Sequence, residues 1–358
     1  MIEFLKKAKR TIVSHLNRAK VRAEAARAFR YDKAQFMANA GALHLDRKAA
    51  ARAEIVMGYH VLEKGLTMPR RRLGFGKGAV VHLINLIETF ERRFENTQAH
   101  SSPNPPLTSS NQTLTDPNST LSDPQVRYAV GVLRSYRELH RDWPEPMPRL
   151  DAFLAAHADV PPAYEPHVTR TEFFAAKDAP FPQFAASRHV CRHFAGSVPR
   201  EMIESAVALA LTAPSACNRQ HARVHVVDDS VLRDRLFAAQ GGTRGFGQDA
   251  DKVLVVTADL SAVRWGWERH DCYVNGGIFV MNLCYALHYF GVAHCILHWS
   301  VSPEVDRAVH EFLGIPSNEA IVQVIACGMP PEEFDVAASP RLAVSDVLTW
   351  HGGGRGGE

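Results

Sequence analysis

Leu211–Gln220, LTAPSACNRQ, decides how the C-terminal half of this chain is read. It follows an apolar helical stripe, Ile203, Ala206, Val207, Ala210 and Leu211, that starts after Pro199 at a first helical position. It precedes Arg223–Val227, which alternates like a strand. Small residues, a proline and the side chains of Ser215, Asn218 and Gln220 make it a tight helix-to-strand connection. Such groups close a turn through their own hydrogen bonds, or they point at a ligand. With that connection fixed, KVLVVT (Lys252–Thr257) and AIVQVIAC (Ala320–Cys327) read as short buried strands. Asp271–Phe290 reads as a central helix apolar on most sides, and a further helix runs from Ser302-Pro303 to Gly314. Gly276–Trp299 is apolar but broken by Asn282, His288 and His294, so it is a buried helix plus a strand rather than a membrane span. The outcome is a layered α/β or α+β domain with three or more strands.

Upstream the texture is different. The first 95 residues and Asp123–Ala156 read as helices. Residues 96–125 are rich in Pro, Ser, Asn and Thr and cannot bury enough surface to offset their ordering entropy, so a long mobile loop is expected there. Pro161, Pro162 and Pro166 mark a linker. Two domains follow: a helical region over 1–165 and a second domain over 170–350. With 358 residues, 46% hydrophobic and 22% charged, the chain has room for both. A net charge of +3 gives no argument for nucleic acid. Residues 1–33 nevertheless carry ten Lys or Arg against Glu3, Glu24 and Asp32. That run reads as a solvated helix face, or more sharply as a helix docking on a membrane surface or an acidic partner. The six cysteines show no C-x-x-C spacing, and no apolar h-region follows the N-terminal basic residues, so reduced thiols in the cytoplasm are expected.

Most motifs of catalysis are missing. GFGKG at 74–78 lacks the phosphate-loop spacing, no G-x-G-x-x-G follows a strand, and Ser215 lies in no G-x-S-x-G elbow. His189 and His193 stand at i, i+4 without H-E-x-x-H, so no metal is expected. A dispersed set remains: Arg188 and Arg192 in SRHVCRHF, Ser215, Asn218 and Gln220, and Arg341 in SPRLAV. Guanidinium forks suit a phosphate monoester, and amides suit the polar edge of a planar ring. The residues alone leave two readings open, a grip on an anionic planar cofactor or surface arginines with turn amides.

Taken in order, these residues resemble the FMN-dependent nitroreductase family over roughly 185–350. Arg188-His189-Val190-Cys191-Arg192-His193-Phe194 follows the family's R-[RH]-S-x-R/K-x-F except at Val190. Val198-Pro199, a helix, and Ala213-Pro214-Ser215-Ala216-Cys217-Asn218-Arg219-Gln220 follow V-P and A-P-S-x-x-N-x-Q. Gly291-Val292 after the central helix, Gly328 at the end of the last strand, and Arg341 complete the order.

The resemblance implies a nitroreductase-like mixed-sheet α+β sandwich with a mainly α-helical N-terminal region. It implies a homodimer with FMN at the interface, NADH or NADPH as reductant and a small organic molecule as acceptor. Arg188 and Arg341 would hold the FMN phosphate, with His189 and Arg192 close by. Pro214, Ser215 and Asn218 would face the ribityl chain or ring, Gln220 would support that loop, and Leu297, His298 and Trp299 would lie near the flavin. Arg244 would supply positive charge to the ring. No acid–base pair is implied, because the flavin carries the redox chemistry. Val190, His221 and His298-Trp299 depart from the family pattern, which leaves the substrate class open. HVLEKGLTMPRRRLGFG (His60–Gly76) resembles the N-terminal extension of a subgroup encoded with bacterial surface-polysaccharide genes. Its Glu63, Lys64, Arg70, Arg71 and Arg72 would cover the flavin, bind an anionic substrate, or pack as a basic loop. The alternatives are a non-reductase member of the fold, either flavin-consuming or a dehydrogenase of a carrier-bound substrate, and a flavin-binding protein with an N-terminal docking module.

Overall fold

A computed structural model of the chain describes residues 2–95, 121–163 and 166–351, with side chains from residue 17 onward. Among the described residues, twelve α-helices and six strands run in the order α1 Ile2–Asn39, α2 Lys48–Leu66, α3 Lys77–Phe90, α4 Pro124–Leu139, α5 Pro148–Ala156, β1 His167–Thr169, α6 Arg170–Phe173, α7 Phe181–Ser187, α8 Arg200–Ala210, β2 Ala222–Val227, α9 Ser230–Gln240, β3 Lys252–Asp259, α10 Asp271–Tyr289, β4 Ala293–Leu297, α11 Pro303–Leu313, β5 Glu319–Gly328, β6 Glu333–Asp335 and α12 Val344–Val347. Of the loop expected at 96–125, residues 96–120 lie outside the described residues, and Leu121–Asp123 lead into α4. None of the described helices is long and apolar enough to cross a membrane.

The chain forms two compact units, and neither is continuous in sequence. One comprises residues 1–40, 68–70 and 167–336, and the other 41–67, 71–166 and 337–358. Three stretches therefore cross the boundary expected near 165–170: 1–40 and 68–70 join the unit of 167–336, and 337–358 joins the other. Helix α1 joins the α/β unit, because Gly266 lets its backbone approach closely: a Cβ there would lie 2.4 Å from the Ala25 nitrogen. Asp32 then pairs with Arg269 and with His270 Nε2 at 2.9 Å, and Arg27 lies over the Trp267 ring. The basic run 1–33 is thus partly a packing surface, although Phe29, Tyr31, Phe36 and Met37 remain exposed.

In the α/β unit the sheet order is β2-β3-β5-β4, and β1 pairs with β6. Every pairing among the described residues is antiparallel, so the mixed sheet expected from the resemblance is antiparallel here. Strand direction leaves no mark on a run buried on both faces. Alternation along β3 shows that burial: Val253 and Val255 face α9, α11 and Phe194, Phe246 and Phe334, whereas Leu254 and Val256 face α8 and α10. The α+β class holds, with helices on both faces of one sheet. Pro199 is the N-cap of α8 rather than its first residue, and Gly314 caps α11 at φ 65°.

The helical unit packs α2, α3, α4 and α5 around Ile55, Leu62, Leu83, Ile87, Leu133 and Tyr136. Asp123 caps α4 by accepting the Gln125 N–H at 3.0 Å, and Arg52 donates to the same carboxylate at 2.6 Å. The LGFG turn has a packing explanation: Gly65 leaves room for the Phe75 ring and Gly74 for the Trp143 ring.

Candidate functional site

The turn 211–220 closes on itself. Ser215 Oγ accepts the Gln220 N–H at 2.9 Å, the Asn218 N–H donates to Ser215 O at 2.9 Å, and Gln220 Nε2 donates to Asn218 Oδ1 at 3.3 Å. Three non-glycine residues take left-handed backbone, Cys217 (φ 52°), Asn218 (φ 54°) and Gln220 (φ 51°). Each such residue costs of order 1 kcal/mol and persists only where its surroundings over-determine it. Here they do. Ala216 N–H donates to Asn275 Oδ1 of α10 at 2.8 Å. Arg219 uses all five of its donors: Ala216 O (3.1 Å), Ala262 O (2.8 Å), both oxygens of Glu268 (2.8 and 3.1 Å) and Asp271 Oδ2 (3.1 Å). Arg219, with the Arg264 and Trp265 N–H groups, holds the Glu268 carboxyl down at about 2. The fastened loop presents Pro214, Cys217, Asn218 and Gln220 outward and keeps Ser215 half-buried. His221, which follows, is buried with neither ring nitrogen bonded; burial, then the charge of Arg219, lowers its pKa.

The segment after α7 is built differently. The Cys191 N–H donates to His294 O of β4 at 3.0 Å, and Ala195 and Gly196 bridge Met329 at 2.8 and 3.0 Å. Phe194 sits in the core directly against Gly328, where a Cβ would lie 2.7 Å from its ring. Val190 packs on the same core, and His189 and Arg192 are half-buried. Arg188 stands out, because its Nε and Nη1 are buried without a hydrogen-bond partner. A buried guanidinium with unmet donors costs more than the 1–3 kcal/mol of an unmet neutral group, of order, unless an anion answers it. Two buried imidazoles, His288 and His294, feel its charge. Burial first, then the positive charge of Arg188, pushes His288 down to about 4 and His294 down to about 3.

The remaining candidates are dispersed. Leu297 ends β4 with its side chain in the core. His298 is exposed, its carbonyl accepting from Gln240 Nε2 at 3.0 Å. The Trp299 indole donates to Asp306 Oδ1 at 2.7 Å and packs on the core. Arg244 is exposed. Arg341 lies in the helical unit with Nη1 on Ser339 O at 2.5 Å. Ser339 is itself left-handed (φ 46°) and donates its N–H to buried Glu63 at 3.0 Å, an oxygen that also accepts from Tyr128 at 2.8 Å. Glu63 of the 60–76 motif thus anchors the tail that carries Arg341. Arg70 pairs with Asp249 at 2.5 Å and Arg71 donates to Leu66 O at 2.6 Å.

The structure therefore brings Ser215, Asn218 and Gln220 together in one loop, and Arg188 and Arg192 together in one strip. Helix α10 touches the first through Asn275 and the second through His288, which meets Ser187 Oγ at 3.1 Å. Those two contacts are about 20 Å apart along its axis, at 1.5 Å per residue. Asn275, Arg219 and His288 were not singled out as site residues from the sequence. The acids of WERHDCYV (Trp267–Val274) beside a lone arginine in an amide-rich turn are the signal that could have found Arg219. Among the described residues no group of three or more His, Cys, Asp or Glu could hold a metal.

An α+β unit with two buried, unmet arginine donors toward one end of α10 and a pinned amide loop toward the other is the setting in which the comparisons fall. Residues 185–243, which contain both features, match the nitroreductase family. The chain is 27% identical over 194 residues to an NADH dehydrogenase of Thermus thermophilus, covering 46% of this chain and 91% of that protein. Among solved structures it resembles an FMN-dependent nitroreductase from Clostridium difficile (22% identity, 46% and 92% of the two chains, TM-score 0.38). It also resembles a nitroreductase family protein from Streptococcus pneumoniae (19%, 48% and 100%, TM-score 0.41). Residues 185–243 thus resemble the nitroreductase family, and the Thermus thermophilus relative is an NADH dehydrogenase.

Proposed function

We propose that this protein is an FMN-dependent oxidoreductase that takes reducing equivalents from NADH or NADPH and passes them to a small organic acceptor. The observation that carries this reading is the pair of buried, unmet donors on Arg188, within the stretch that matches the family. The fit to FMN is good at its phosphate end. Arg188 offers unmet guanidinium donors of the kind a phosphate monoester accepts from, Arg192 lies four residues on, and the family pattern adds Arg341. At the other end, Ser215, Asn218 and Gln220 satisfy one another but sit on a loop whose polar edge is outward, as a ribityl chain or ring edge requires. Bound FMN would supply the hydride and electron chemistry, and the chain's residues supply anchoring and orientation.

Two features support a homodimer with residues of both copies at each cofactor. Tyr273, Val274, Ile278, Met281 and Tyr289 form an exposed apolar stripe on α10, with Gly277 open beside it. Stripes of this kind mark protein interfaces. The separation of the Arg188 and Ser215 clusters along α10 also suits sites completed by a two-fold-related copy. No disulfide joins the six cysteines, which fits a reducing cytoplasm. The resemblance of His60–Gly76 to the extension of that subgroup supports an acceptor drawn from surface-polysaccharide metabolism.

The purified protein is expected to be yellow, or to turn yellow with added FMN, and to bleach under anaerobic NADH or NADPH. A colourless protein that binds no FMN overturns the reading. Arg188→Ala should weaken FMN binding about ten- to hundredfold, from the roughly 1.5–3 kcal/mol of a charge-assisted contact. Equal affinity in the variant would remove Arg188 from the site.

A further inference from the structure

We propose that His288 Nδ1 and His294 Nε2 complete the phosphate site begun by Arg188, and that filling the site draws a proton onto one of these imidazoles. The proposal rests on the reading of Arg188 as the FMN-phosphate anchor. Four polar atoms on this strip and the elements it touches are buried without a partner: Arg188 Nε and Nη1, His288 Nδ1 and His294 Nε2. The segment 187–191 contacts both histidines. Ser187, next to Arg188, holds His288, and Cys191, three residues on, donates to the His294 carbonyl at 3.0 Å.

The hydrogen bonds fix which nitrogen of each ring carries its proton. Ser187 Oγ donates to Phe184 O at 2.9 Å. Toward His288 Nε2, at 3.1 Å, it can then only accept, so Nε2 bears the hydrogen and Nδ1 is a bare lone pair. His294 Nδ1 faces Val292 O at 3.2 Å, a group that only accepts, so Nε2 is the bare lone pair there. A phosphate dianion arriving at Arg188 would meet two lone pairs that repel it. Protonation turns each of them into a donor.

The surrounding charges make that protonation conditional. Arg188 and His189 act on His288, and Arg188 and His288 act on His294. Cys284, which also feels Arg188, is a neutral thiol pushed up to about 12 by burial. Phe173, Phe174 and Phe184 supply the ring walls around His288. Positive charge and burial therefore keep both imidazoles neutral until a dianion reverses the local sign. His288 lies in the last turn of α10, where the helix terminus favours a cation. The proton comes from the buffer and stays on the ring while the phosphate is bound.

Calorimetric titration of the full-length, flavin-free protein with FMN at pH 7.5, in two buffers of different ionisation enthalpy, counts the protons exchanged. Riboflavin, which lacks the phosphate, is the control. The expected result is uptake of roughly one proton per FMN and none with riboflavin. An arginine-only site exchanges almost no protons at this pH, because a phosphate whose second pKa is about 6 is already nearly all dianion. His288→Gln or His294→Asn should reduce the uptake and weaken FMN about tenfold more at pH 6 than at pH 8. No uptake in the unmodified protein, or uptake unchanged in both variants, overturns the proposal. If FMN affinity is also indifferent to Arg188→Ala, the anchor reading itself fails.

Discussion

Between pH 6.5 and 4 the flavin-free protein should lose stability steeply, above the range in which most of its carboxylates titrate. His288 and His294 are the cause. In the unfolded chain each titrates near its ordinary 6.5, whereas in the fold burial and Arg188 hold them at about 4 and about 3. The unfolded state therefore binds more protons below pH 6.5, and each proton it gains favours unfolding. Stability from these groups is fully present above pH 6.5 and falls with acidification until the folded values are reached. At pH 5 each ring accounts for about 2 kcal/mol, since one pH unit of mismatch is worth about 1.4 kcal/mol. Two such rings remove a large share of the roughly 5–15 kcal/mol that holds a domain together. Urea denaturation from pH 8 to pH 4.5 measures this directly. His288→Gln and His294→Asn should each flatten the slope while lowering stability at pH 8, because both rings also fill core space. A slope that neither variant changes would mean that the acid sensitivity arises elsewhere.

The rings show where the sequence was legible and where it was not. Strands β3 and β5 and helices α10 and α11 follow from local pattern, because β-branched runs and caps such as Ser302 and Gly314 act within a few residues. His288 and His294 were visible only as interruptions of an apolar stretch. Their meaning depends on Ser187 and Arg188, about a hundred residues earlier in the chain. The same holds for Arg219, whose five partners include Ala262, Glu268 and Asp271, and for Gly266, which matters because α1 packs on it. The opening turn contained both of its sequence readings. Its amides do close a turn, and its strained backbone is held by partners that a free turn would not need. The division into units was illegible for a related reason: α1 and the tail at Ser339 each join a unit through contacts that no composition shift announces.

Gly328→Ala should destabilise the α/β unit by about 2–4 kcal/mol and weaken FMN binding as well. The added Cβ would lie 2.7 Å from Phe194 Cδ1 and 2.8 Å from Phe194 Cβ. Turning the ring to another rotamer relieves the first contact but not the second, so the backbone at Phe194 must move. That backbone is pinned: Ala195 N–H donates to Met329 O at 2.8 Å, and Met329 N–H to Gly196 O at 3.0 Å. Overpacking of this kind costs about 1–3 kcal/mol, and each bridge bond that is lost adds roughly 1 kcal/mol. The displaced strip is the one that carries Arg188 and Arg192, which couples the packing fault to the phosphate site. Gly314→Ala separates the clash from the general cost of replacing a glycine. Gly314 is left-handed (φ 65°) with nothing within 4 Å of a Cβ, so its variant bears only the backbone penalty of about 1 kcal/mol. Thermal melts should rank Gly328→Ala well below Gly314→Ala, and only the former should lower FMN affinity. Equal melting temperatures, or an unaltered affinity in Gly328→Ala, would show that the strip relaxes around the extra methyl without moving Arg188.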